Sequence, residues 1–105
     1  MSRVARGAAK QQSAYWCRKA ADQGIADAQA ALGSLYRDGH GVQQSDEQAA
    51  HWYRKAAEQG QREAQESVGK FYKTGRGGLE QSDMEAEKWY RKAAVQGNNE
   101  GKNEL

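Results

Sequence analysis

With 105 residues, 37% of them apolar, a mean hydropathy of −1.11 and no Pro, the chain has room for one domain and little material for a deep globular core. Sixteen basic and fourteen acidic residues leave a net charge of +2 with the signs mixed along the chain, which suits a solvated helical surface and argues against a nucleic-acid footprint. No apolar run approaches the roughly 18 residues of a membrane span, and the single Cys17 excludes an internal disulfide.

Met1 to Ala9 shows no periodic apolar pattern and reads as a frayed or short helical lead. Its basic residues precede no apolar segment of the secretory kind, which favours a cytoplasmic location for the chain as given and leaves an exported parent protein open if it is a fragment. A first helix is expected from Lys10 to Gly24, with Trp16, Cys17, Ala20 and Ala21 along one face at helical spacing. Gly24 ends it, because glycine reaches the left-handed conformation without steric cost. A second helix, from about Ala26 to Asp38, carries Ala28, Ala31, Leu32, Leu35 and Tyr36 as its stripe. Gly33 inside it costs about 1 kcal/mol relative to Ala. Close approach of a neighbouring helix explains it, and Gly69 stands at the matching position further on.

Gly39, His40 and Gly41 stop the second helix, Val42 to Ser45 forms a loop, and Ser45 or Asp46 caps the next helix. This third helix is expected over Asp46 to Gln59, burying Ala49, Trp52, Tyr53, Ala56 and Ala57. A fourth runs from Arg62 to Thr74 with Ala64, Val68, Phe71 and Tyr72, and Gly75 to Gly78 makes a second loop. The fifth spans Asp83 to Gln96 with Ala86, Trp89, Tyr90, Ala93 and Ala94, and Gly97 is expected to close it as Gly24 and Gly60 close the first and third. Asn98 to Leu105 has no apolar stripe and reads as disordered or weakly helical.

The blocks YWCRKAADQG, HWYRKAAEQG and KWYRKAAVQG organise the whole chain. Trp16 and Trp52 lie 36 residues apart, Trp52 and Trp89 37 apart, and the difference is one extra glycine in the second loop. A length change confined to a loop is what a stacked array tolerates. The organisation is therefore a flexible lead over 1–9, a repeat domain over 10–97 divided at about 10–45, 46–82 and 83–97, and a flexible tail over 98–105. With no helix after it, the fifth helix is expected to leave part of Trp89 and Tyr90 uncovered. The tail, a second copy of the chain, or the rest of a longer protein would cover that face.

Ala49, Trp52, Tyr53, Arg54, Lys55, Ala56, Ala57, Glu58, Gln59 and Gly60, continued by Ala64, Val68, Gly69, Phe71, Tyr72, Gly75 and Gly77, resemble the Sel-1-like repeats, relatives of the tetratricopeptide repeats. The first repeat supplies Ala28, Leu32, Gly33, Leu35, Tyr36, Gly39, Gly41 and Val42 in the same phase, and the match covers about residues 12 to 97. Cys17 departs from the family's Tyr, and the last repeat has only its first helix. The resemblance implies an all-α solenoid of antiparallel helix pairs that serves protein–protein contacts, often as an adaptor. Many members are bacterial and exported, and some go with secretion systems or effectors. It also implies that the first helix of each pair lines the concave surface.

Selectivity belongs where repeats differ, and the clearest such column is Tyr15, His51 and Lys88, directly before each Trp. Gln48, Arg54 and Lys55 lie beside it as further candidate partner contacts. The Arg-Lys pairs recur in every block, and features common to all repeats serve the scaffold, for instance by pairing with Asp22 or Glu58. Cys17 reads as a small buried residue in the Tyr site. His40 and His51 have no ligand-spaced neighbours, so no metal and no cofactor is expected. Ser67-Val68-Gly69-Lys70 and Lys73-Thr74-Gly75 match two motifs of serine β-lactamases, and Ser82-Asp83 begins like a third. Their places in the repeat, two variable positions, a helix end and a helix cap, mark the match as chance. The expected function is a non-catalytic partner-binding module. The alternatives are an immunity protein occluding a toxin and, remotely, a small hydrolase using Ser67 and Lys70.

Overall fold

The computed structural model describes the backbone of residues 2–103 and the side chains of residues 12–97. Helical periodicity without Pro gives α1 (Ser2–Asp22), α2 (Ala26–Asp38), α3 (Asp46–Glu58), α4 (Arg62–Thr74) and α5 (Asp83–Asn103), and no strand among the described residues. Each helix packs on its neighbours in sequence, so the fold is an all-α repeat array. The α2–α3 and α4–α5 pairs pack more closely than α1–α2 and α3–α4.

The inner bounds follow the sequence pattern, and the outer two do not. α1 starts at Ser2 rather than Lys10. Loss of apolar periodicity marks the end of packing, whereas the Ala and Arg residues of this segment have high intrinsic helix propensity and extend a helix already nucleated. At the other end Gly97 does not close α5, which continues to Asn103. Gly24 and Gly60 turn the chain at φ of 89° and 95°, and the next N–H, of Ile25 or Gln61, returns to the carbonyl of Ala20 or Ala56. In both places an apolar helix folds back immediately afterwards. After Gly97 no apolar stripe follows, so nothing offsets the cost of breaking the helix.

The two core clusters show what each repeat does for the next. Trp52 of α3 is buried against Ala21 and Leu32, with Cys17, Leu35 and Tyr36 half-buried around it. Trp89 of α5 closes a second cluster built from Tyr53, Ala57, Ala64, Val68 and Phe71. Each Trp is thus covered by the repeat before it. Among the described residues no repeat packs on Trp16, which is 64% exposed, against 4% for Trp52 and 7% for Trp89. The expectation of a buried Trp16 and a partly bare Trp89 is corrected in both respects. Tyr90 is half-buried.

Gly33 and Gly69 mark the closest approach. A Cβ at Gly33 would stand 2.8 Å from the Tyr53 ring, and one at Gly69 would stand 2.8 Å from the Tyr90 ring. Each Tyr thereby occupies the side-chain space its glycine leaves empty. α2 also corrects its expected stripe: Gln29 and Ala30 are buried and Ala31 is exposed. A single stripe presumes one neighbour, but α2 is sandwiched between α1 and α3 and buries two faces.

Candidate functional site

One shaped surface lies where the second loop returns onto α3. Gly77, at φ 67°, rests on the helix: a Cβ there would come within 2.6 Å of the Asp46 carbonyl oxygen and 2.7 Å of Ala50 Cβ. Arg76 clasps the same helix end, its Nη2 and Nε donating to Asp46 Oδ1 and Oδ2 at 2.8 and 3.2 Å. Its guanidinium also lies 4.8 Å from the Phe71 ring centre. The Arg76 hydrogen bonds hold the Asp46 carboxyl below its ordinary value, against a smaller opposing effect of burial. Ser45 caps α3, its Oγ accepting from the N–H of Gln48 at 3.1 Å, which leaves Asp46 to this inter-repeat pair.

Between loop and helix runs an open groove of about 420 Å³, lined by Glu47, Ala50, His51, Arg54, Lys55, Glu58, Gly77 and Leu79. His51 leans edge-on against Trp52 at 5.1 Å, and Lys55 Nζ lies 5.5 Å from the same ring. The groove offers half-buried Leu79 beside both signs of charge. Such a surface can hold an extended or helical peptide segment, with apolar contact in the middle and polar contacts at the rim.

Three of the six expected contact residues, His51, Arg54 and Lys55, are brought together here. Gln48 is exposed on α3 but outside the lining. Lys88, Met84, Glu87 and Arg91 line the register-equivalent depression on α5, which measures only about 170 Å³. No loop returns onto α5 among the described residues, and the loop is what gives the α3 groove its depth. Lys88 lies 5.5 Å over Trp89 and 3.8 Å from Glu85. Tyr15 stands on α1 against the exposed Trp16, with Lys19 Nζ 5.0 Å from its ring. The column therefore runs along the array as three separate patches.

The remaining motif residues have structural neighbours. Ser67 and Lys70 line an open polar groove between α2 and α4 of about 520 Å³, together with Asp27, Arg37, Glu63 and Glu66. Ser82 Oγ accepts from the N–H of Glu85 as the cap of α5, and the Thr74 hydroxyl donates to the Lys70 carbonyl. His40 and His51 are exposed, and among the described residues no three His, Cys, Asp or Glu side chains gather as metal ligands. No described helix is long and apolar enough to cross a membrane. Most members of the Arg-Lys pairs also make contacts within the array: Arg18 pairs with Asp22, Arg91 with Glu87, and Lys19, Lys55 and Lys92 each lie over the Trp three residues earlier.

A ladder of glutamines has no counterpart in the apolar pattern. Gln59 Nε2 donates to the Gly24 carbonyl at 2.9 Å and to Gln29 Oε1 at 2.8 Å, and Gln29 Nε2 reaches the Ala21 carbonyl. Gln96, Gln65, Gly60 and Ala57 repeat the arrangement one unit later. The carbonyls of Gly24 and Gly60, just past the ends of α1 and α3, are thereby satisfied by a glutamine of the next repeat. The signal was present as a 36-residue recurrence of Gln29 and Gln65, masked by the habit of placing glutamine on the surface.

The Sel1 repeat model matches residues 8–25, 26–61 and 62–98. Its internal boundaries fall where α1 gives way to α2 and α3 to α4, so its units coincide with the closely packed pairs α2–α3 and α4–α5. No curated protein matches the chain. Among solved structures, a Sel1 repeat protein from Oxalobacter formigenes is 44% identical over 79% of this chain and 63% of its own length, with a TM-score of 0.76. A protective antigen of uropathogenic Escherichia coli displaying an SLR fold is 40% identical over 83% of this chain and 18% of its own, with a TM-score of 0.80. Cysteine rich protein B of Helicobacter pylori, at 24% identity over 91% of this chain and 71% of its own, shares the fold with a TM-score of 0.79. The chain thus spans under two thirds of the first two relatives.

Proposed function

From the premise that the chain belongs to the Sel1 repeat family, whose model accounts for it from residue 8 to residue 98, we propose that it is a non-catalytic module that holds a protein partner against α3 and the loop preceding α5. Repeats of this family are commonly protein-interaction modules. What supports this particular surface is the groove that joins His51, Arg54 and Lys55 to Ala50 and Leu79. It is the place where residues that vary between repeats meet apolar surface and a fixed loop. Clefts of this kind concentrate binding energy at a few central side chains, while rim charges steer the approach.

The test is affinity capture with the wild-type chain and with a His51→Ala, Arg54→Ala, Lys55→Ala variant. All three side chains are exposed, so the variant should keep its helical circular dichroism and its unfolding midpoint. A partner recovered by the wild type and lost by the variant is the expected outcome. Equal recovery of every partner removes this groove as the contact surface.

A further inference from the structure

The register of the repeats narrows what the α3 groove can hold. Arg18, Arg54 and Arg91 occupy the same place on α1, α3 and α5. Arg18 pairs with Asp22, four residues on, and Arg91 with Glu87, four residues back. Arg54 is exposed in the groove and makes no ion pair or hydrogen bond among the described residues. The counterpart of Glu87 on α3 is Ala50. That position has to be small because Gly77 is seated on it, its Cβ position only 2.7 Å from Ala50 Cβ. The loop that gives the groove its depth thus excludes the carboxylate that would otherwise occupy the guanidinium.

The other charges of the groove are arranged around this one. Glu58, the counterpart of Asp22, lines the groove four residues beyond Arg54 and is not paired with it. Glu47 lies at the opposite end of the same face of α3. Lys55 stands on the flank, over the Trp52 ring. The cations therefore hold the middle and the carboxylates the two ends, with Ala50 and half-buried Leu79 as apolar surface between them. Glu47 and Glu58 are 11 residues apart, which is about 16 Å of helix and matches about five residues of extended chain.

We infer that the groove recognises an extended acidic–aliphatic segment of a partner protein. A central aspartate or glutamate takes two N–H groups of the Arg54 fork, and a neighbouring aliphatic side chain lies on Ala50 and Leu79. The inference rests on the reading of the groove given above and specifies its ligand. An unpartnered planar guanidinium is matched by a carboxylate in a two-bond geometry that a neutral amide does not equal. Lys55 adds positive charge on the approach, while Glu47 and Glu58 disfavour a segment that is acidic throughout. Extension of the array does not fill this site. A further helix would stack at an end of the array, on α1 or α5, whereas the groove lies on α3 and is walled by the loop that precedes α5.

The probe is the capped peptide acetyl-Ser-Leu-Glu-Leu-Ser-amide, titrated against the full chain with backbone amide shifts as the readout. Capping removes terminal charges that would imitate the side chain. Saturable shifts centred on Arg54, Gly77 and Leu79 are expected. The twin peptide with glutamine in place of glutamate should bind about tenfold more weakly. Arg54→Gln should weaken the glutamate peptide by a similar factor and leave the glutamine peptide unchanged. Glu58→Gln should strengthen the glutamate peptide by removing the competing carboxylate. Both side chains are exposed, so neither substitution should disturb folding. Absence of saturable binding, shifts centred outside the groove, equal affinity for the two peptides, or equal loss of both on Arg54→Gln overturns the inference. Self-association that Arg54→Gln abolishes would assign the acidic segment to a second copy of the chain and overturn it equally. The earlier reading is decided apart from this one. A captured partner that the triple variant loses but Arg54→Gln alone retains leaves the groove in place and removes its acidic anchor.

Discussion

YWCRKAADQG on α1 and HWYRKAAEQG on α3 differ at three of ten positions, yet their tryptophans have opposite fates. Trp52 is buried by the α1–α2 surface, while Trp16 projects from α1 against the exposed Tyr15. The motif supplies a knob, and the preceding repeat supplies the hole. Burial in this array is a property of neighbours, and the first copy of a motif need not inherit the role of the second. Truncation breaks the comparison most forcefully. Trp52→Ala should lower the unfolding free energy by about 3–5 kcal/mol through lost transfer and cavity terms. Trp16→Ala should change it by no more than about 0.5 kcal/mol, as at an ordinary surface position. Urea titrations of the two variants decide it, and equal losses would mean that Trp16 is covered in solution.

The same contrast holds for glycine. Gly69 leaves space that the Tyr90 ring fills, so Gly69→Ala should cost about 1–3 kcal/mol by overpacking. Gly97 lies within α5, where an added Cβ would sit 3.5 Å from Arg62 Nη1, an ordinary contact. Gly97→Ala should therefore stabilise, by up to about 1 kcal/mol, through helix propensity. Thermal unfolding of both variants checks the pair. A destabilised Gly97→Ala would restore the expectation that this glycine turns the chain.

These pairs also show what the sequence could carry. Helix number, loop positions and the close approach at Gly33 and Gly69 were legible, because the residues that mark them recur at 36 or 37 positions. Exposure of Trp16 was not, because it depends on what precedes the motif. Continuation of α5 past Gly97 was not, because a glycine turns the chain only when a packing helix comes after it. Of the candidate site, the column headed by His51 could be read as variation between repeats. Its separation into three patches could not, since the depth at His51 comes from Gly77 and Leu79, distant in sequence from α3.

The glutamine ladder sharpens the comparison at intermediate energy. Gln23, Gln59 and Gln96 hold the same place before Gly24, Gly60 and Gly97. Gln59 bridges back to Gly24 and Gln29, whereas Gln23 is exposed and meets no earlier repeat among the described residues. Gln59→Ala strands the buried Gln29 and should cost about 1–2 kcal/mol. Gln23→Ala should stay within about 0.5 kcal/mol. Amide exchange at Ile25 and Ala26 offers an independent readout, since opening of the α1–α2 turn should be faster only in the Gln59 variant.

The smallest effect concerns charge. Asp46 and Asp83 both come directly after a capping serine, but Asp46 alone is met by an arginine from a later loop. The Arg76 hydrogen bonds lower the Asp46 pKa in the folded chain from its ordinary 3.8. Its stabilising contribution is thus complete above that unfolded value and is lost as pH falls through the folded one. Both partners are more than a third exposed, at 34% and 44%, so solvent screening limits the pair to about 0.2–1 kcal/mol. Asp46→Asn alone would also remove a charge from the first turn of α3, which interacts with the helix dipole. A double-mutant cycle with Arg76→Gln separates the two. The coupling should be present near neutral pH, shrink under acid and fade in high salt. Absence of coupling near neutral pH, with Arg76→Gln still destabilising, would mean that Arg76 acts through its stacking on Phe71, leaving the carboxylate a bystander.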